Sequence, residues 1–175
     1  MKLSKLISEI ETIEVENFKD TEVIHAFSDS REKFKNSVFI AVRGLTSDGA
    51  SFAADAVESG ACAVIYETEI ERKFPYVTYI KVPDSRSAQS RIAGLVYGLP
   101  AEKLRLTGIT GTNGKTSTAY IFRHILNSSG IKCGLLGTTE YDLGKRKFVP
   151  SRTTPDAVFL QRYLKEMTDN GLKQT

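Results

Sequence analysis

The 175-residue sequence has no tryptophan, only two methionines, two histidines and two cysteines, and five prolines. Cys62 and Cys133 are too few and too far apart to suggest a disulfide framework or a metal knuckle. His25 and His124 have no Cys, His or carboxylate at ligand spacing. No apolar run approaches the roughly 18 residues of a membrane span. The opening Met-Lys-Leu-Ser-Lys gives way to acidic residues, not to the apolar core of an export signal. Neither sign of charge dominates: 24 Lys and Arg face 21 Asp and Glu, for a net charge of +3. With no basic run, nucleic-acid binding by charge alone has no support. No nucleophile elbow or Ser-His-Asp constellation supports covalent hydrolase chemistry. These absences exclude the secreted, membrane and disulfide-rich classes and leave a reducing cytoplasm as the expected compartment. What remains is a globular composition, 41% hydrophobic and 26% charged. At roughly 150 residues per domain, the length allows one domain, or one and part of another.

Patterning gives an α/β order. Leu3, Leu6, Ile7 and Ile10 recur at helical spacing. The polar, turn-like Phe27 to Arg31 leads into Ser37–Val42, an apolar run of strand length. Phe52 to Gly60 reads as a helix closed by its glycine. Ala61–Tyr66 and Val77–Val82 read as buried strands, with Glu67 to Lys73 a solvated loop between them. A helix capped by Asp84 or Ser85 keeps its 3.6 period through Ala88, Ile92, Leu95, Val96 and Leu99. These elements imply a small α/β domain, and the polar stretch 100–103 is the expected boundary, giving domains 1–103 and 104–175. Leu104–Thr110 then reads as a strand, and Thr118–Ser129 as a helix burying Ile121, Phe122, Ile125 and Leu126. Ile131–Thr138 reads as a second strand, forming a parallel pair with the first, with Cys133 a small core residue in it. Residues 145–154 are expected as a basic loop. Thr154-Pro155-Asp156 opens a last helix, with Thr154 as its cap, that runs to about Asp169.

Between the strand at 104–110 and the helix from 118 lies Gly111-Thr112-Asn113-Gly114-Lys115-Thr116-Ser117. A nucleoside triphosphate needs such a strand–turn–helix. Glycines let backbone N–H groups converge on phosphates, and the helix dipole points its positive end at them. Lys115 reaches β- and γ-phosphates, and the Thr116 hydroxyl can ligate Mg²⁺. The strict phosphate-loop spacing fails by one position, because Ile109 stands where its first glycine belongs. No apolar strand ending in an acid follows, so a nucleotide-binding switch module stays open beside an enzyme.

Gly111 to Ser117 resembles the ATP loop of the Mur ligase family, cytosolic enzymes that extend the UDP-linked peptidoglycan precursor. Asp29-Ser30-Arg31, Val38 to Gly44, Asp48-Gly49 and Ala50 to Ala63 are similar to the N-terminal uridine-nucleotide domain of members adding the third residue or the terminal dipeptide. Gly137-Thr138-Thr139 followed by Thr153-Thr154-Pro155-Asp156 is similar to the third-residue ligases. The resemblance implies an ATP-dependent ligase that forms an amide bond through an acyl phosphate. It would join diaminopimelate or lysine to UDP-N-acetylmuramoyl-L-Ala-D-Glu, acting as a monomer without nucleic-acid or membrane partners. It implies that Ser28 and Ser30 contact the UDP-muramoyl substrate and that Leu45, Thr46 and Ser47 close over the uridine. Gly111, Thr112, Asn113, Gly114, Lys115, Thr116 and Ser117 would hold ATP, Lys115 serving catalysis and Thr116 the Mg²⁺. Arg152, Thr153 and Thr154 would hold the muramoyl-peptide portion. The same family includes the dipeptide-adding ligase, which is the alternative.

The family's Mg²⁺-binding glutamate, its carbamylated lysine, a further substrate arginine and its C-terminal domain fall beyond residue 175. The expectation is an N-terminal piece of a longer protein: residues 1–103 bind the UDP-muramoyl substrate, and residues 104–175 open a parallel-sheet ATPase domain. This chain alone is then expected to bind weakly and not to turn over.

Overall fold

The computed structural model describes residues 1–44, 48–150 and 154–175. Continuous apolar runs form parallel strands where both faces are covered, and three such runs build the first half. Strand β3 (Ser37–Ala41) is buried at every position, β4 (Ala61–Tyr66) at all but one, and β5 (Thr78–Lys81) at all but its last. Two further strands, β1 (Glu14–Glu16) and β2 (His25–Phe27), complete a five-stranded sheet in the order β1-β5-β4-β3-β2. Strands β2 to β5 are parallel, and β1 runs antiparallel along β5 with Val15 opposite Ile80.

The pleat sends alternate residues to opposite faces. On one face Phe27, Phe39, Ala41, Val64, Tyr66 and Tyr79 form a core with Ala53, Ala56 and Val57. The last three come from α2 (Ala53–Glu58), which follows a 3-10 turn at Gly49–Phe52. Val38, Ile40, Ala63, Ile65 and Ile80, the alternate set, are equally buried. Helix α3 (Ser85–Val96) packs against β2, β3 and β4 with Ala88, Ile92 and Leu95 buried, and α1 (Leu3–Ile7) buries Leu3 and Leu6. Each large apolar side chain so buried contributes about 1.5–3 kcal/mol. Gly60 ends α2 at φ +112°, and a Cβ there would lie 2.6 Å from the Phe34 carbonyl oxygen.

The 67–73 segment, expected as a solvated loop, is tied into this sheet by charge. Lys73 Nζ donates to Glu16 Oε1 (2.5 Å), Glu69 Oε1 (2.9 Å) and the Tyr66 hydroxyl (3.1 Å). Lys81 Nζ donates to the other Glu69 oxygen at 2.9 Å. The two lysine hydrogen bonds, Lys81 first, pull the Glu69 carboxyl down to about 2.

The chain divides into two compact units, Met1–Val96 and Tyr97–Thr175. The division falls between 96 and 97, not at the expected 103/104, because residues 97–104 pack on the second core. Leu104 belongs to that core with Leu143, Leu164, Met167 and Leu172, and Ala101 lies against it. The Tyr97 hydroxyl accepts from Arg162 Nε at 3.3 Å.

In the second unit, helix α4 (Lys115–Ser128) and helix α5 (Ala157–Asp169) flank a small antiparallel sheet of β6 (Leu135–Leu136), β7 (Tyr141–Asp142) and β8 (Lys147–Phe148). Strand β8 lies in the segment expected to be a plain basic loop. The expected neighbouring parallel strands at 104–110 and 131–138 do not pair with each other. The stretch 173–175 lies between them, and Gln174 bridges both Arg105 and Cys133 in parallel. Arg105 N donates to Lys173 O at 3.0 Å, Thr107 N to Thr175 O at 2.8 Å and Gly134 N to Gln174 O at 2.8 Å. Residues 135–136 turn away to join β7 instead. The whole is a mixed α/β structure whose larger sheet is mostly parallel.

Candidate functional site

The glycine positions of the 111–117 turn are used as the sequence requires. Gly114 takes φ +75° immediately before α4, a left-handed conformation that costs glycine little, and Gly111 takes φ +148°. Lys115 is the first residue of α4, and Thr118 N donates to Gly114 O at 2.9 Å. No side chain caps this helix, and its first turn holds no acid. Its leading N–H groups therefore have neither intrahelical partners nor a competing carboxylate. Residues 111–118 are all exposed. The Lys115 ammonium folds back over the turn, donating to the Gly111 carbonyl at 2.5 Å and the Thr112 carbonyl at 3.4 Å. Uncapped amides, a helix N-terminus and an ammonium resting on neutral carbonyls make a seat for a polyanion.

The apolar face expected on α4 is not buried: Ile121 is 60% and Ile125 57% exposed, and Phe122 and Leu126 are half-buried. Polar contacts hold the helix instead. Arg123 donates to Glu140 Oε1 at 3.0 Å and pairs with the buried Asp142 carboxylate. The Tyr120 and Thr139 hydroxyls lie 3.2 Å apart, and Asn127 Oδ1 accepts from Cys133 N at 3.0 Å. Burial pushes the Cys133 thiol up, with the Arg123 charge opposing.

In the first unit, the residues expected to meet the UDP-muramoyl substrate follow the carboxyl ends of parallel strands, where open α/β sheets bind ligands. Ser28 and Ser30 follow β2, and Arg43–Gly44 follow the adjacent β3. Both serines are half-buried. Asp29 accepts from the backbone N–H of Arg31 (3.1 Å) and from its guanidinium (2.8 and 2.5 Å), while the Ser30 carbonyl accepts from Ser59 Oγ at 3.3 Å. Arg43 is held by α3 and by the residue after β4. Its N–H donates to Ser85 Oγ at 3.2 Å, Ser85 Oγ donates to Glu67 Oε2 at 2.9 Å, and Arg86 donates to the Arg43 carbonyl at 3.1 Å. Leu45, Thr46 and Ser47 lie outside the described residues, as do Arg152 and Thr153.

Thr154 is exposed and is not the cap of α5. Asp156 takes that place, its carboxylate accepting from Phe159 N at 3.0 Å. A carboxylate aligned with the N3 amide outcompetes a threonine placed two residues earlier. His25 stacks on Phe34 at 4.7 Å, and His124 is exposed. Among the described residues no group of three or more His, Cys, Asp or Glu could hold a metal. The exposed Thr116 hydroxyl beside the uncapped turn suits a Mg²⁺ carried in by phosphates, not one held by protein ligands alone.

Sequence reasoning did not single out Arg123 or Asp142, and it read Ser85 only as a candidate helix cap and Glu67 only as part of a solvated loop. Only Asp142 carried a signal, as an acid between Tyr141 and Leu143, both apolar and both buried.

Residues 109–175 match the Mur ligase middle domain. The chain is 39% identical over 173 residues to the UDP-N-acetylmuramoyl-L-alanyl-D-glutamate–2,6-diaminopimelate ligase of Geobacillus thermodenitrificans, covering 99% of this chain and 35% of that protein. To the ligase of the same name from Clostridium tetani it is 36% identical over 174 residues, 98% of this chain and 36% of that one. The chain thus spans about a third of the length of the curated relatives it matches. A solved structure of a ligase of that name shares the fold, with TM-score 0.73 and 24% identity over 99% of this chain and 34% of that one. The crystal structure of the MurF ligase of Thermotoga maritima in complex with ADP aligns with TM-score 0.54 and 23% identity, covering 84% of this chain and 30% of that one. Nearly the whole chain is thus similar to ligases of one name, and residues 109–175 match the middle domain of the Mur ligases.

Proposed function

We propose that this chain is the substrate-binding and phosphate-binding part of an ATP-dependent ligase that joins diaminopimelate to UDP-N-acetylmuramoyl-L-alanyl-D-glutamate in peptidoglycan precursor synthesis. The observation that carries the reading is the uncapped N-terminus of α4, with Lys115 folded over the Gly111–Ser117 turn. The names of the relatives supply the amino acid and argue against lysine as the third residue. The rival of the same family, the dipeptide-adding ligase, has no Thr-Thr-Pro element to match Thr153-Thr154-Pro155.

In this reading the D-Glu carboxylate attacks the γ-phosphorus of ATP, ADP leaves, and an acyl phosphate forms. The incoming amine then attacks the acyl carbon and inorganic phosphate departs. Lys115 leaves the Gly111 carbonyl for the transferring phosphoryl group, where its charge offsets the negative charge in the transition state. The amides of Gly111 to Ser117 orient the phosphates. Mg²⁺, with Thr116 as its ligand from this chain, would supply charge neutralisation on the phosphate oxygens. Ser28, Ser30 and the 45–47 segment bind the UDP-muramoyl group in the first unit, and Arg152, Thr153 and Thr154 bind the muramoyl-peptide portion. The protein works as a cytoplasmic monomer.

Calorimetric titration of the 175-residue chain with UDP-N-acetylmuramoyl-L-Ala-D-Glu, and separately with Mg-ATP, tests this. Both are expected to bind weakly. A bare nucleotide-binding module would take Mg-ATP and ignore the UDP-dipeptide, and that result would overturn the ligase reading.

A further inference from the structure

Helix α4 begins at the phosphate-binding turn, so whatever fixes α4 also fixes Lys115 and Thr116. No residue of α4 is fully buried, Phe122 and Leu126 being only half-buried, so apolar packing fixes it weakly. Arg123 provides a charged, largely enclosed attachment. Its side chain is 14% exposed, that of Asp142 is 5%, and one guanidinium bridges Glu140 and Asp142. Asp142 is anchored in turn, accepting from Gly144 N at 2.9 Å while Lys147 Nζ lies 3.1 Å from its second oxygen. Among the described residues Arg123 Nε is buried without a hydrogen-bond partner, so the two carboxylates set the guanidinium's place. At 1.5 Å rise per residue, Arg123 stands about 12 Å along the helix from Lys115. A tilt of about 10° pivoting there would carry Lys115 about 2 Å. Misplacement of about 1 Å costs up to ~10²-fold at a reacting centre.

We propose that Arg123 is a positioning residue for phosphate binding: by bridging Glu140 and Asp142 it holds α4 in the orientation that presents Lys115, Thr116 and the leading amides to the phosphates. The proposal rests on the nucleotide reading of the Gly111–Ser117 turn.

The test uses the ¹⁵N-labelled 175-residue chain, following the amide resonances of Gly111, Gly114 and Lys115 with and without Mg-ADP. Arg123→Gln is expected to shift these resonances before ligand is added, and to weaken Mg-ADP binding on the order of 10-fold. Arg123→Lys, which reaches one carboxylate at a time, should recover part of the affinity, and it decides the matter if Arg123→Gln does not fold. Leu164→Ala, in the core of the same unit, should lower the thermal midpoint yet leave turn resonances and affinity in place. Unchanged resonances and affinity in the Arg123 variants would overturn the proposal. So would an equal effect of Leu164→Ala, which would make Arg123 merely structural. Wild-type chain that gives no response to Mg-ADP would overturn the nucleotide reading itself, a failure visible before any substitution is made.

Discussion

Asp142→Ala removes the carboxylate that faces Arg123 in the interior of the second unit. The Asp142 side chain is 5% exposed and that of its partner Arg123 14%. Breaking such a pair from one side leaves a buried charge uncompensated, which costs about 3–5 kcal/mol. Two features place this case at the lower end. Glu140 remains as a partner for Arg123, and Lys147 loses only a solvent-screened contact, its side chain being 55% exposed. A loss of about 3 kcal/mol in a unit of this size lowers its melting temperature by about 12 °C or more. Differential scanning calorimetry suits the measurement, because it can resolve the transition of the second unit from that of the first. Asp142→Asn keeps an acceptor for Gly144 N and should lose less. Replacing both partners, Arg123→Met with Asp142→Leu, removes the desolvation cost along with the attraction, and should return most of the lost stability. An Asp142→Ala transition within about 1 kcal/mol of wild type, or a double variant as unstable as the sum of the singles, would refute a buried, mutually dependent pair.

Glu69 makes the stability of the first unit pH-dependent. Its pairing with Lys81 and Lys73 is fully present above pH 4.5 and lost as the pH falls through about 2, so Glu69→Gln should flatten the acid limb of its unfolding profile across that range. Gly60→Ala, which forces a Cβ against the Phe34 carbonyl at φ +112°, should cost about 1–3 kcal/mol in chemical denaturation. Asp156→Ala should cost about 1 kcal/mol in the second unit, while Thr154→Ala leaves stability unchanged, because the carboxylate and not the hydroxyl caps α5.

The parallel strands were legible because burial on both faces writes them as unbroken apolar runs, as in Ser37–Ala41 and Ala61–Tyr66. β1 was not, since Glu14-Val15-Glu16 is a short, largely exposed edge stabilised by its ladder with β5 and by the Glu16–Lys73 pair. Periodicity found α4 but started it at Thr118, three residues after its observed start at Lys115, and it misjudged what holds the helix. An apolar stripe on a helix announces a buried face, yet Ile121 and Ile125 are exposed and a charged side chain makes the attachment. The segments 104–110 and 131–138 were misread as paired strands: the first forms only a bridge at Arg105, the second only β6 and a bridge at Cys133, and the polar stretch 173–175 gave no sign that it would bridge to both. The glycine-rich turn at the head of α4 was legible for a local reason: its glycines and Lys-Thr act through backbone conformation and helix position, which sequence spacing records. The Arg123–Asp142 pair depends on residues brought together only by the tertiary fold.

The central claim, that the turn at the head of α4 seats the phosphates of ATP with Lys115 as their cationic partner, is tested most directly by equilibrium binding of Mg-ATP to the wild-type chain and to Lys115→Ala. Among the described residues Lys115 donates to two carbonyls of its own turn and no more, so its removal should leave the thermal unfolding of the chain unchanged. Loss of a charge-assisted contact should weaken Mg-ATP binding by about 1.5–3 kcal/mol, roughly 10- to 100-fold, while UDP-N-acetylmuramoyl-L-Ala-D-Glu binds the first unit as before. Equal affinity of the two proteins for Mg-ATP would contradict the account.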